Sequence, residues 1–369
     1  MSVGSAAAKS LKLSPLISWR NTGKLQQTLA DCIKRSGRGL HSGDISTVRI
    51  LPAEAGSGRY FVFRSNVIHA SIDNAVKASA LCTTLSRDGY SVRTVEHLLS
   101  ALEASSVDNC CIEIEGSKPG DQSIEVPIFD GSAKEWVEAI DQVGLKVAVD
   151  CSGKCCEKMA PYLNEPVHVL KNDSFVTAFP HSKVRITCGI DFPQAPAIGC
   201  QWFSSSLFDG SFHFEQIASS RTFCLYEEVE HMRSLGLIKG GSAETAIICS
   251  VTSGWLNPPL RFHDEPCRHK VLDLIGDFSL LAQGGHQGLL VAHVIAYKVL
   301  NRGICKNRQG YVKDDLYNRL TRRVYSHNVS AENILHMRIE FVKSENILPY
   351  HIKSYQLVYA PGTIVLSIY

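Results

Sequence analysis

Hydrophobic and polar positions along this chain change period several times, and each change predicts an element. From about residue 26 short alternating runs dominate. "ISTVRILPA" (45–53) and "GRYFVFR" (58–64) alternate apolar and polar positions, the signature of half-buried strands, after a glycine-rich turn "SGRGLHSG" at 36–43. Residues 92–116, "VRTVEHLLSALEASSVDNCCIEIEG", open with helical spacing and end in the strand "NCCIEIE". "VPIFDGSAKEWVEAIDQVGL" (126–145) reads as a turn followed by an amphipathic helix. Pro161 and Pro166 mark a boundary. Beyond it strands are predicted at 166–180 and 184–191, then a polar stretch at 219–237 and a strand in "ETAIICS" (244–250). A glycine turn "QGGHQG" (283–288) and a strand "GLLVAHVIAYK" (288–298) follow. The two units, 26–150 and 160–298, rhyme: each carries a His near the start of a helix that precedes a strand. A duplicated α+β architecture with the site between the halves follows.

The second of those helices carries the first chemistry. In "CRHKVLDLIGD" (267–277) His269, Asp273 and Asp277 recur every four positions, with Val271, Leu272, Leu274 and Ile275 between them. At about 3.6 residues per turn the three polar groups fall along one face and the apolar ones take a flank suited to a core. Acidic and basic residues four apart are common on solvated helices. An imidazole and a carboxylate one turn apart also suit a metal ion, and a catalytic zinc then needs a third ligand and an open position. "TVEHLLSAL" (94–102) offers one, with Glu96 and His97 at the start of the first helix. On this reading His97, His269 and Asp273 ligate zinc, and Glu96 stands beside the open position as a general base.

Composition narrows the class. The chain has 369 residues, 44% hydrophobic and 20% charged, with a formal net charge of +2, so no broad basic surface points to nucleic acid. Its longest apolar runs fall short of a membrane span. Thirteen cysteines, odd in number and scattered, suit a reducing compartment; "CSGKCC" (151–156) lacks the second ligand pair of a zinc knuckle. Residues 1–30 carry Lys9, Lys12, Arg20 and Lys24, are rich in Ser and Ala, and hold no acidic residue before Asp31. That composition predicts an organellar presequence over 1–25, mitochondrial rather than plastid, against the alternative of a basic tail.

"GRGLHSG", "TVEHLLSAL", "VPIFDGSA", "SRTF", "GGS" at 240–242 and "LRFHDEPCRHKVLDLIGD", in this order, resemble the zinc-dependent UDP-3-O-acyl-N-acetylglucosamine deacetylases of lipid A biosynthesis over roughly residues 26–298. The resemblance implies two similar α+β domains, each a sheet with paired helices, packed with the zinc site at their interface. It implies hydrolysis of an N-acetyl group from a UDP-linked acylated N-acetylglucosamine by a monomer, giving the free amine and acetate. Carried onto matching positions, it makes His97, His269 and Asp273 the zinc ligands and Glu96 the base that activates water. Thr222 would stabilise the oxyanion. Phe223, Lys270 and Lys298 would bind substrate, Cys82 would lie near the metal, and an apolar channel would take the acyl chain. His41 lies in a shared motif without an assigned role.

The resemblance breaks after "AYK" (296–298). The family places a proton-donating His a few residues further on, in a Lys-(small)-Gly-His stretch, held by the aspartate that matches Asp277. Here the text runs "VLNRGICKNRQGYVKDD", with Asn301 at that spot, which leaves Asp277 without the implied partner. Residues 299–369 hold seven of the twelve tyrosines and resemble nothing in the family, so they read as a replaced C-terminal tail. The alternative function is therefore a catalytically impaired isoform that binds zinc and UDP-sugar but lacks the general-acid histidine. A zinc amidohydrolase for another N-acetyl sugar is a further rival.

Overall fold

The structure is a computed structural model and describes residues 15–76, 81–116, 118, 120–171, 173–205, 210–298, 355–360 and 363–368. Two five-stranded sheets carry the architecture, and they share one topology. In the first, the strand order is Ile33–Arg38, Ile45–Pro52, Cys110–Glu115, Arg59–Phe63, Asn66–His69. In the second it is Val167–Lys171, Ser174–Pro180, Ala292–Tyr297, Arg185–Phe192, Gly199–Ser204. Both read antiparallel, antiparallel, parallel, antiparallel across the sheet. Each sheet is completed by a last strand that enters its centre after a helix: α1 (Glu96–Ala104) in the first repeat, and in the second the helix Glu265–Phe278. A parallel neighbour requires such a crossover, which is why the rhyme was legible in the sequence.

Between these come α2 (Lys134–Val143), α3 (Gly210–Gln216) and α4 (Tyr226–Ser234), so the helix Glu265–Phe278 is α5. All nine residues of α1 are buried, and so are twelve of the fourteen in α5. A helix buried all round sits in the middle of a core. Here the two cores merge into a single cluster running from Ile17 to Ala296. α1 and α5, one from each half, pack on each other within one compact unit. In the second unit, 324–369, Tyr355–Ala360 and Thr363–Ile368 pair antiparallel.

The crossing of α1 and α5 depends on one glycine. A Cβ at Gly276 would come 2.1 Å from the Glu96 carbonyl oxygen. Alanine gains about 1 kcal/mol of helix propensity over glycine, but a clash with backbone cannot be relieved by a rotamer change and overpacking costs about 1–3 kcal/mol. Gly276→Ala is therefore expected to destabilise the chain by about 1 kcal/mol in urea unfolding. An unchanged midpoint would mean that the crossing has slack.

Three sequence expectations change. Residues Ile17–Leu25, read as the end of a presequence over 1–25, form a strand paired with Glu157–Leu163, with Ile17 buried against the core. Arg20 lies over the Tyr162 ring, 4.5 Å from its centroid. A basic, acid-free stretch suits an edge strand as well as a presequence, and residues 17–25 of that stretch belong to the fold. The single strand expected over 166–180 is two, paired antiparallel. The polar stretch 219–237 contains the strand Phe223–Leu225 and α4, whose only buried residue is Met232. Among the described residues no helix is long and apolar enough to cross a membrane, and the described cysteines are free thiols. The tail 299–369 lies outside the described residues except at 355–360 and 363–368.

Candidate metal centre and catalytic cavity

His97 is the second residue of α1, and His269 and Asp273 stand one turn apart on α5, so the packing of the two helices brings the three together. His97 Nε2 and His269 Nε2 each lie 3.5 Å from Asp273 Oδ1, and the two imidazoles meet edge to face with centroids 4.9 Å apart. One ligand atom from each residue falls within 4.8 Å of the others. Two bonds of about 2.0–2.1 Å at a tetrahedral angle separate ligand atoms by about 3.3–3.4 Å, close to the 3.5 Å found here.

The protonation states suit ligation. Burial pushes His269 down to about 3, which keeps it neutral. Burial pushes the Asp273 carboxyl upward, but the surrounding groups, the Lys270 ammonium among them, outweigh it and hold the group well below the usual carboxylate range. His269 Nδ1 lies 3.0 Å from the Ser220 carbonyl oxygen and donates to it, so its Nε2 carries the free lone pair. Asp273 Oδ1 and His97 Nδ1 are buried with no hydrogen-bond donor or acceptor in bonding geometry. An unsatisfied buried carboxylate oxygen between two imidazole nitrogens is costly unless a cation sits there. The residues fit a divalent ion held by two His and one Asp.

Beside the cluster lies a cavity of about 370 Å³, lined among others by Glu96, Cys82, Thr222, Phe223, Lys270 and Asp277. Glu96 is buried, and that burial, foremost among the causes, pushes its carboxyl up to about 8. Its Oε2 accepts the Thr83 peptide N–H at 3.0 Å. Asp277 is not left bare: the Thr83 hydroxyl donates to its Oδ1 at 2.6 Å. Thr222 is anchored by its N–H on the Gly131 carbonyl at 2.7 Å. Gly131, in the "VPIFDGSA" motif, has φ +87, and a Cβ there would come 2.2 Å from the Thr245 carbonyl oxygen, so the turn accepts only glycine. Lys270 Nζ sits 5.3 Å over the Phe223 ring and 3.3 Å from Asp273 Oδ2.

Lys298 stands apart from these residues. It is not among the cavity-lining residues, and its ammonium lies between Asp173 and Asp191, at 3.1 and 3.0 Å. His286 and His293 also lie elsewhere; His286 Nδ1 accepts the Met159 N–H, and His293 Nε2 pairs with the Thr187 hydroxyl.

Two motifs without an assigned role contribute Leu40, His41, Gly241 and Ser242 to the cavity lining. The peptide N–H groups of His41 and Ser42 donate to the Glu125 carboxylate at 2.9 and 2.7 Å, and Thr94 adds its hydroxyl at 2.7 Å. The Gly240 N–H donates to the Leu40 carbonyl, and a Cβ on Gly240 would come 2.2 Å from Gly39 O. "GLHSG" and "GGS" are thus the two halves of a backbone clasp. Sequence reasoning missed Thr83 and Glu125, and no periodicity or spacing marks either.

Comparison with known proteins gives the family. A family model described as LpxC, UDP-3-O-acyl N-acetylglycosamine deacetylase, matches residues 26–300. The Arabidopsis thaliana protein named "Probable UDP-3-O-acyl-N-acetylglucosamine deacetylase 1, mitochondrial" is 60% identical over 285 residues, 77% of this chain and 87% of that protein. The UDP-3-O-acyl-N-acetylglucosamine deacetylase of Trichormus variabilis is 46% identical over 280 residues, 74% of this chain and 93% of its own length. That of Thermosynechococcus vestitus is 45% identical over 277 residues, covering 74% and 89%. With two sheets of one topology and a His–His–Asp cluster between their helices, the chain belongs to the UDP-3-O-acyl N-acetylglycosamine deacetylase family of hydrolases.

Proposed function

We propose that the chain hydrolyses the N-acetyl group of UDP-3-O-acyl-N-acetylglucosamine in the mitochondrion, with zinc held by His97, His269 and Asp273, as a step of lipid A biosynthesis. The observation that carries the reading is the cluster of those three residues beside Glu96 at a cavity, in a member of this family. When bound, zinc supplies polarisation of the amide carbonyl and lowers the pKa of water toward about 7. Glu96 takes a proton from the attacking water at its Oε1, since Oε2 is occupied by the Thr83 N–H. The Thr222 hydroxyl donates to the oxyanion as the carbonyl carbon becomes tetrahedral. Lys270 and Phe223 hold the sugar diphosphate, and Cys82 flanks the reacting group. Val229, Met232 and Ile248 offer apolar lining for the acyl chain. The names of the Arabidopsis relatives and the basic start of the chain support the mitochondrial assignment.

The test is metal content and acetate release on the full chain. One zinc per chain is expected, and His97→Ala should lose tight binding while remaining folded. A full equivalent of tightly held zinc in His97→Ala would overturn the ligand set. Absence of acetate release from the acylated UDP-sugar at full zinc occupancy would favour the second reading, an impaired binder. That reading rests on Asn301 standing where the family places its general-acid histidine.

A further inference from the structure

Glu96 and Asp277 belong to different repeats and different helices, yet one residue holds both. Thr83 lies in the segment that leads into the strand Thr84–Arg87, after Leu81 at φ 64. Its backbone is fixed at both ends of its own peptide units. The N–H donates to Glu96 Oε2 at 3.0 Å, and the carbonyl accepts the N–H of Val95, the residue before α1, at 3.3 Å. Its hydroxyl reaches the other way and donates to Asp277 Oδ1 at 2.6 Å. Thr83 is 8% exposed, and all three residues line the cavity.

The placement matters because of what surrounds it. Gly276, one residue before Asp277, lies against the Glu96 backbone, so α1 and α5 touch where the two carboxylates emerge. Backbone contact fixes the helices, but it leaves the carboxyl groups free to rotate about their side-chain bonds. A neutral donor on each carboxylate removes that freedom, and a β-branched side chain, stiff at χ1, is suited to aim a hydroxyl without wandering. The contact of the hydroxyl with Asp277 Oδ1 is short, at 2.6 Å. Neither carboxylate is a neighbour of Thr83 in sequence, so packing considerations alone do not require a hydroxyl here.

We propose that Thr83 is the positioning residue of the cavity: its peptide N–H orients the Glu96 carboxylate, and its hydroxyl orients that of Asp277, locking the two at one separation across the repeats. The kinetic part rests on the deacetylase reading, whereas the contact itself does not.

The test uses the full, zinc-loaded chain and the variants Thr83→Val and Thr83→Ser. Both keep the peptide N–H, and only valine removes the hydroxyl. Thr83→Val should retain its zinc equivalent and lose about 10–100-fold in kcat for acetate release, with KM changed by no more than about 3-fold, since misplacement by about 1 Å can cost 10²-fold. Thr83→Ser should recover most of that loss. A readout independent of turnover is a urea-unfolding cycle of Thr83→Val, Asp277→Ala and the double variant, since alanine leaves no acceptor for the hydroxyl. The double variant should be no less stable than the weaker single one, because either change breaks the same bond. An additive cycle would overturn the proposal. So would an unchanged kcat in Thr83→Val, a loss confined to KM, or a serine variant as impaired as valine. Should the parent chain release no acetate, the deacetylase reading fails, and the unfolding cycle alone decides the role of Thr83.

Discussion

Glu96→Gln is expected to keep its full zinc equivalent and to release acetate about 10²–10⁴-fold more slowly, the usual worth of a general base. The change removes one proton-accepting function and little else. Glutamine has nearly the same shape, and its carbonyl oxygen can still accept the Thr83 N–H that Glu96 Oε2 accepts. The ligand atoms belong to His97, His269 and Asp273, so metal affinity and turnover should separate. The pH profile carries a second check. Burial pushes the Glu96 carboxyl up to about 8 in the metal-free chain, so the base form grows as pH rises through that range. A bound dication favours the carboxylate and moves the rising limb to lower pH. That limb should vanish in Glu96→Gln. Unchanged turnover in the variant would remove Glu96 from the mechanism.

What was legible in the sequence follows from how far apart the interacting residues lie. His269 and Asp273 share a face of α5, so helical spacing alone paired them. His97 sits in the other repeat, and only the demand for a third ligand pointed to it. The repeats were visible because each helix leads into a central strand. Thr83 could not be found, because its partners Glu96 and Asp277 meet it only after both helices have packed. Glu125 hides for the same reason; its work is to collect the peptide N–H groups of His41 and Ser42, a task with no side-chain pattern. Lys298 was singled out by the resemblance alone. It follows "AY" as the resemblance requires, yet Asp173 and Asp191 hold its ammonium and it is not a lining residue of the cavity. α4 read only as part of a polar stretch because a helix with one buried residue shows almost no hydrophobic period. The strand Ile17–Leu25 was hidden by composition, since basic residues serve targeting and strand edges alike.

Replacing residues 299–369 with a family-type C-terminus carrying the Gly-His pair is expected to raise acetate release by about 10²–10⁴-fold at equal zinc occupancy, the range of general acid catalysis. An amide nitrogen leaves only as the protonated amine, so some group must deliver a proton to it. Glu96, once protonated, can return the proton it took, which keeps the basal rate of the natural chain above zero. A separate donor would allow uptake and delivery to be set independently, and the resemblance locates that donor against Asp277. Among the described histidines, His97 and His269 belong to the candidate metal cluster. His41 lines the cavity but takes the Ile238 N–H on its Nδ1, and burial, foremost, lowers its pKa, so it disfavours the charged, proton-donating form. His286 and His293 are engaged with Met159 and Thr187 away from the cavity. Asp277 itself accepts the Thr83 hydroxyl on its Oδ1. The measurement is acetate release by the natural and chimeric chains, each with its zinc content assayed. Equal rates would mean that Glu96 alone carries the proton both ways, and Asn301 would then mark no catalytic loss.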